Sequence, residues 1–168
     1  MKKTIYSKYD KKLIPSLPRV LFEGKIEVVV SETEAEKAVD YLLSQPIIGL
    51  DTETRPSFKK GHTYTVSLLQ VASHDICFLL RLNYLKFSPS IKRLLEDTTV
   101  PKIGLSLHDD VKMLHKIGEF EPGHFIDLQD RVKEVGVEDM SLQKIYANFF
   151  GMRISKRERL TNWEADIL

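Results

Sequence analysis

Asp51-Thr52-Glu53 follows directly on the apolar run Ile47-Ile48-Gly49-Leu50. Side chains two apart on a strand point to the same side, so the two carboxylates project together. Like charges at that spacing repel and raise a carboxyl pKa unless a cation sits between them. Hard oxygen donors suit Mg²⁺ or Mn²⁺. The pair can also do no more than solvate a strand end. A second acidic group bears on that choice. Ile103-Gly104-Leu105-Ser106-Leu107-His108-Asp109-Asp110 places two adjacent aspartates where a short strand gives way to a helix. A helix cap accounts for one of them, not both, because only one residue occupies the cap position. Asp127, directly after Phe125-Ile126, is a third acid at a strand end and fits a cap or structural acceptor better than a ligand.

The elements that must hold these acids show in the hydrophobic pattern. Lys25 to Val30 is a β-branched strand, and Ser31 with Glu34 has capping-box spacing ahead of a helix carrying Ala35, Ala38, Val39, Leu42 and Leu43. Ile47 to Leu50 has the composition of a buried strand. Tyr64 to Val71 and Ile76 to Leu80 pair as a hairpin around Ala72-Ser73-His74-Asp75. Ser88-Pro89 opens a helix, Pro101 to Leu105 is a strand, and Asp109 to Lys116 is a helix closed by Gly118. Phe125 to Asp127 is a last short strand, a short helix covers 128–134, and Ser141 caps a helix that ends at Gly151. Strands first, then helices alternating with single strands, predict one α/β domain with a mixed sheet covered by helices.

With 168 residues and 42% apolar content, the chain has enough core-forming material for one folded domain and is not a disordered polymer. Lys and Arg number 25 against 24 Asp and Glu, a net charge of +1, which excludes binding of nucleic acid by overall charge alone. A local basic track remains open. Residues 1–24, rich in lysine and broken by Pro15 and Pro18, form a basic arm that lies on the domain or trails from it as a solvated tail. No apolar segment is long enough to span a bilayer, and no signal-like stretch follows the charged N-terminus. Cys77 is the only cysteine, which excludes an internal disulfide and makes the reducing cytoplasm the expected compartment.

Ile47 to Thr54 resembles the first exonuclease motif of the DEDD family, among which the RNase D and Werner-type 3′–5′ exonucleases are nearest. Gln70, within Ser67-Leu68-Leu69-Gln70-Val71, resembles that family's second strand. Ile103 to Leu114 resembles the second motif, with Asp110 at the family's aspartate; Asp109 stands where relatives often carry a small polar residue, so both stay in view. Phe125 to Leu128, Ser141-Leu142, Gly151, Ile154-Ser155-Lys156 and Thr161-Asn162-Trp163 continue the likeness in order, over about residues 25–168. The resemblance implies an RNase H-like fold and two-metal hydrolysis of phosphodiesters at the 3′ end of DNA or RNA. By the same likeness, Asp51 would bridge or ligate both of two Mg²⁺ or Mn²⁺ ions, Glu53 would hold the metal that carries the nucleophile, and Asp110 would hold the other. Leu50, Thr52, Thr54 and Gln70 would face the nucleic acid. Lys156 and Arg157, in a basic stretch from Arg153 to Arg159, offer phosphate contacts by residue type, with a solvated loop as the simpler alternative.

One departure stands out. In the resembled family a Tyr-x-x-x-Asp motif follows the tryptophan segment and supplies a fourth carboxylate and a tyrosine that orients the attacking water. The sequence reaches Leu168 without it, and Tyr146 is no substitute because residue 150 is Phe. The expectation is a truncated form of a longer exonuclease domain, lacking the C-terminal helix that carries this motif and impaired in turnover. A natural chain with an incomplete site is the alternative. A non-catalytic RNase H-like module that holds nucleic acid or a partner, and an inactive folded fragment, are the competing functional readings.

Overall fold

Strand β1 runs over Lys25–Val29, where Ile26, Val28 and Val29 favour extended backbone. Ser31 ends it. Its hydroxyl accepts from the Glu34 N–H at 3.3 Å while the Glu34 carboxylate accepts from the Ser31 N–H at 3.4 Å, and this capping box starts helix α1 (Glu32–Leu42). The computed structural model describes residues 2–155 and 164–165; Lys156, Arg157 and the Thr161-Asn162-Trp163 segment lie outside them. Strands β2 (Ile48–Glu53), β3 (Leu68–Ala72) and β4 (Ile76–Arg81) follow. β3 and β4 form the expected hairpin, but β3 begins at Leu68 and not at Tyr64. Tyr64 instead lies under the Arg55 guanidinium, 3.6 Å from its ring centroid, and takes no part in the ladder.

A short helix α2 (Leu82–Leu85), absent from the sequence reading, leads to α3 (Pro89–Glu96), whose N-cap is Ser88 as expected. Then come β5 (Lys102–Gly104), α4 (Leu107–Leu114), β6 (Phe125–Asp127), α5 (Leu128–Glu134) and α6 (Leu142–Phe150). Helix α4 starts two residues ahead of the expected Asp109. The N-terminal arm is docked and does not trail as a solvated tail. Asn148 accepts from the Tyr6 N–H at 3.0 Å and donates to its carbonyl at 2.6 Å, while Asp139 accepts from the Tyr9 N–H at 2.8 Å. Ile14, in a 3-10 turn over Lys11–Ser16, is buried.

The six strands lie in the order β1-β4-β3-β2-β5-β6; β2 pairs antiparallel with β3 and parallel with β5. β2 is therefore interior, and it carries Asp51 and Glu53 at its carboxyl end. Ile48, Leu50, Val71, Phe78 and Leu80 point from the sheet into one core shared with Val39 and Leu42 of α1, Leu94 of α3, and Leu107 and Leu114 of α4. Each such side chain contributes roughly 1.5–3 kcal/mol on burial, so this face fixes the helices on the sheet. No helix among the described residues is long and apolar enough to cross a membrane.

Gly104 sits where β5, β2 and the first turn of α4 converge. A Cβ there would fall 2.7 Å from the Leu50 carbonyl oxygen and 2.3 Å from Leu107 Cδ2. Only hydrogen fits, and this close approach brings the strand of Asp51 against the helix of Asp110. Gly104→Ala is expected to cost about 1–3 kcal/mol of stability by overpacking. Urea titration measures it, and an unchanged midpoint would show that the junction relaxes freely.

Candidate active site

Asp51 and Glu53 end β2, and Asp110 lies in the first turn of α4. Thr52 links them. Strand alternation turns its side chain toward the Leu50 side of the sheet, where α4 lies, and its hydroxyl donates to Asp110 Oδ1 at 2.5 Å. Its backbone N–H donates to Asp51 Oδ1 at 2.9 Å. The Thr52 side chain, expected to face a nucleotide, is thus turned to Asp110.

The first turn of α4 is placed by an unusual junction. Ser106 is left-handed, with φ 56° and ψ 42°, and makes no side-chain cap. Asp127 supplies the cap from the next strand, accepting from the Ser106 N–H at 3.3 Å and the Leu107 N–H at 2.9 Å. The same carboxylate accepts from the Gln129 N–H at 2.9 Å and so also caps α5. Both Asp127 oxygens serve backbone donors, the structural role that its position at a strand end favours. Asp109, the neighbour of Asp110, is exposed on the helix surface.

Burial among protein atoms pushes the Asp51 carboxyl above its ordinary range, although the residue keeps solvent-accessible surface at the edge of a groove; the Thr52 N–H acts in the opposite direction. Glu53 is raised by burial, then by the charges of Asp51 and Asp110. Asp110 is raised to about 6, first by burial, and also by Asp51, Asp109 and Asp127, against the lowering effect of the Thr52 hydrogen bond. The three carboxyls therefore feel one another across the β2–α4 junction.

A groove of about 460 Å³ opens beside them, lined by Gly49, Leu50, Asp51, Gln70, Ala72 and Leu142 among others. Gln70 is the register partner of Asp51 across β2–β3. Leu50, Asp51 and Gln70 are thus brought together, whereas Thr54 begins the loop that leaves β2. The donor set is chemically suited to a hard divalent cation, being all carboxylate and held against its own repulsion. Its arrangement is open: among the described residues, no three His, Cys, Asp or Glu side chains converge closely enough to hold a metal ion.

The sequence reading passed over a second set of contacts beside Glu53. Ser67 Oγ donates to Glu164 Oε1 at 2.8 Å, and Arg55 Nη1 lies 3.1 Å from Glu164 Oε2. Arg81, buried next to them, donates to the Ala165 carbonyl. The available signal was a lone arginine after the acidic pair, too little to single out.

The raised Asp110 pKa has a definite sign for stability. Its folded value of about 6 exceeds the usual 3.8, so its stabilising contribution is full below the lower value and is lost as pH rises through about 6. In chelated buffer the wild-type Tm should fall over that window more than that of Asp110→Asn, and at pH 7.5 the variant should be the more stable. Thr52→Val, which removes a hydrogen bond that favours the ionised form, should move the Asp110 carboxyl higher still in a ¹³C NMR titration. A variant less stable than wild type at pH 7.5 would contradict the account of crowded charge.

The 3'-5' exonuclease family profile matches residues 26–168. DNA polymerase I of Aquifex aeolicus is 25% identical over 142 residues, which is 84% of this chain and 23% of that protein. A 3'-5' exonuclease of Arabidopsis thaliana is 28% identical over 116 residues, 61% of this chain and 40% of that protein. The chain thus spans well under half the length of these two relatives. Among solved structures, Trypanosoma brucei RNase D in complex with RNA U12 superposes with a TM-score of 0.75 at 21% identity, covering 88% of this chain and 56% of that one. The superposition establishes the RNase H-like exonuclease fold, and with the profile match running from β1 to the last residue, the chain belongs to the 3'-5' exonuclease domain family.

Proposed function

We propose that the chain acts as a metal-dependent 3′–5′ exonuclease domain, removing nucleotides from the 3′ end of DNA or RNA. The observation that carries this reading is that Asp51 and Glu53 at the end of β2 and Asp110 in the first turn of α4 act on one another electrostatically, each carboxyl raised first by burial, within a domain of this family. These three side chains would hold Mg²⁺ or Mn²⁺. The bound cations would supply the charge that keeps all three carboxylates ionised and the Lewis acidity that phosphodiester hydrolysis needs.

The protein's own groups have distinct tasks in this reading. Thr52 fixes the direction of the Asp110 carboxylate through its hydroxyl. Leu50 and Gln70 shape the groove into which a terminal nucleotide would enter. The β3 ladder, in which Asp51 faces Gln70 and Glu53 faces Leu68, holds the two acids in register. RNA in the complex of the related RNase D supports a nucleic-acid partner here.

A second reading, a module that holds nucleic acid without cutting it, is favoured by the open arrangement of the carboxylates. One assay separates the two. A 5′-labelled oligonucleotide incubated in Mn²⁺ should shorten from its 3′ end, and the ladder should vanish with a chelator, with Asp51→Ala and with Glu53→Ala, while circular dichroism stays unchanged. Cleavage retained by both variants would overturn the assignment of the site. Salt-sensitive binding with no ladder would select the second reading.

A further inference from the structure

Residues 54–67 leave β2 directly after Glu53 and return to start β3, and the chain closes on itself through the Ser67 N–H to the Glu53 carbonyl at 2.8 Å. Loops of this length without secondary structure of their own are uncommon in compact domains and usually serve a function. This one is organised from base to tip. The Arg55 guanidinium lies over the Tyr64 ring and pairs with Glu164, and the His62 ring meets Tyr64 edge-on at 4.5 Å. The tip is a turn in which the His62 N–H donates to the Lys59 carbonyl at 3.2 Å, with Gly61 at φ +78°, the conformation a type II turn demands at its third position.

The composition of the tip is unlike the rest of the chain. Thr54 to Ser67 contains Arg55, Lys59 and Lys60 and no acid, in a protein whose net charge is only +1. Arg55 is engaged with Glu164, which leaves Lys59 and Lys60 exposed beside Phe58. Phe58 is 87% exposed, the most of any large apolar side chain among the described residues. A core has no use for an aromatic ring in that position. A basic pair next to an exposed ring matches the two demands of a single strand: cations for the phosphates and a flat apolar surface for an unpaired base.

We propose that the 54–67 loop is a docking surface for single-stranded nucleic acid, with Phe58 stacking on a base and Lys59 and Lys60 contacting phosphates next to the carboxylate site. The proposal rests on the reading of the chain as a protein that acts on nucleic acid. Its anchor at Glu53 explains how strand capture and the site stay in fixed relation. Stacking of this kind tolerates any base and makes no use of the 2′-OH, so DNA and RNA both fit it.

The test is fluorescence anisotropy of the full chain in chelated buffer, with fluorescein-labelled single-stranded DNA and RNA 12-mers as two arms. Phe58→Ala should weaken binding roughly 5- to 150-fold, and Phe58→Tyr should restore it, since stacking on one base contributes about 1–3 kcal/mol. Lys59→Gln with Lys60→Gln should reduce the slope of log affinity against log salt by about 1.4, from about 0.7 for each single-strand phosphate contact. Lys37→Gln with Lys92→Gln, an equal loss of charge on α1 and α3, should leave the tip-dependent effects absent. An effect on either arm supports the proposal and identifies the strand bound. Wild-type binding that all loop variants retain within twofold overturns the loop and spares the functional reading. Absence of wild-type binding at 50 mM salt overturns the loop, while the Mn²⁺ cleavage assay decides the functional reading separately.

Discussion

Three carboxyl groups whose charges act on one another across the β2–α4 junction set the terms for the rest of this domain. Asp51, Glu53 and Asp110 are each destabilised in the ionised form, first by burial, and Glu53 and Asp110 also by their neighbours. On a pliant support they would separate, and the charge would be relieved by movement. The support is not pliant. β2 is paired with β3 through Glu53 and with β5 at Ile48 and Gly49, the Leu50 face is locked into the main core, and Gly104 lets β5 and α4 approach β2 more closely than any side chain would permit. The free energy of the core is thus partly held in a local arrangement that the metal-free protein would be better without.

The start of α4 shows how opposing effects are settled. A helix N-terminus favours negative charge, and both Asp109 and Asp110 lie in the first turn. That preference is typically worth 0.3–1 kcal/mol, with larger values in partly buried sites. It does not prevail at Asp110, whose pKa still rises to about 6 because burial and neighbouring acids outweigh it. The left-handed Ser106 adds a strain of order 1–3 kcal/mol, which persists only where the surroundings hold it in place. Asp127 provides that hold. Its charged oxygens take the Ser106 and Leu107 amides, and ionic hydrogen bonds of this sort are roughly twice as strong as neutral ones.

Much of this could be read from local rules. The Ser31–Glu34 capping box, the Ser88-Pro89 helix start and the β3–β4 hairpin depend on residues close in sequence, and each forms as its pattern indicates. The acidic pair was legible because strand alternation alone puts Asp51 and Glu53 on one side. Contacts across long separations were not legible. Nothing in the sequence around Asp127 reveals that it caps a helix twenty residues earlier as well as its own, and nothing near Tyr6 points to Asn148. The Thr52–Asp110 contact is not legible for a related reason: its partner lies on α4, and a strand pattern says which side a residue faces without saying what waits there. Tyr64 has high strand propensity, and the Arg55 stack keeps it out of the sheet.

A net charge of +1 conceals a sharp separation of sign at this end of the sheet. Carboxylates gather at the end of β2, and the next acid-free stretch of chain carries Lys59 and Lys60 only a few residues away. A polyanion approaching such a surface meets attraction from the loop and repulsion from the acids. On the proposed reading, the balance depends on how much of the carboxylate charge is neutralised. A cation at the acids would remove the repulsive part and leave the loop unopposed, so cation and strand would each strengthen the other's binding. Coupling of this kind is reciprocal by thermodynamic necessity. It needs no conformational change, since the loop is tied at its base to the backbone of Glu53 itself. The same crowding that weakens the metal-free fold would then favour cation and nucleic acid arriving together.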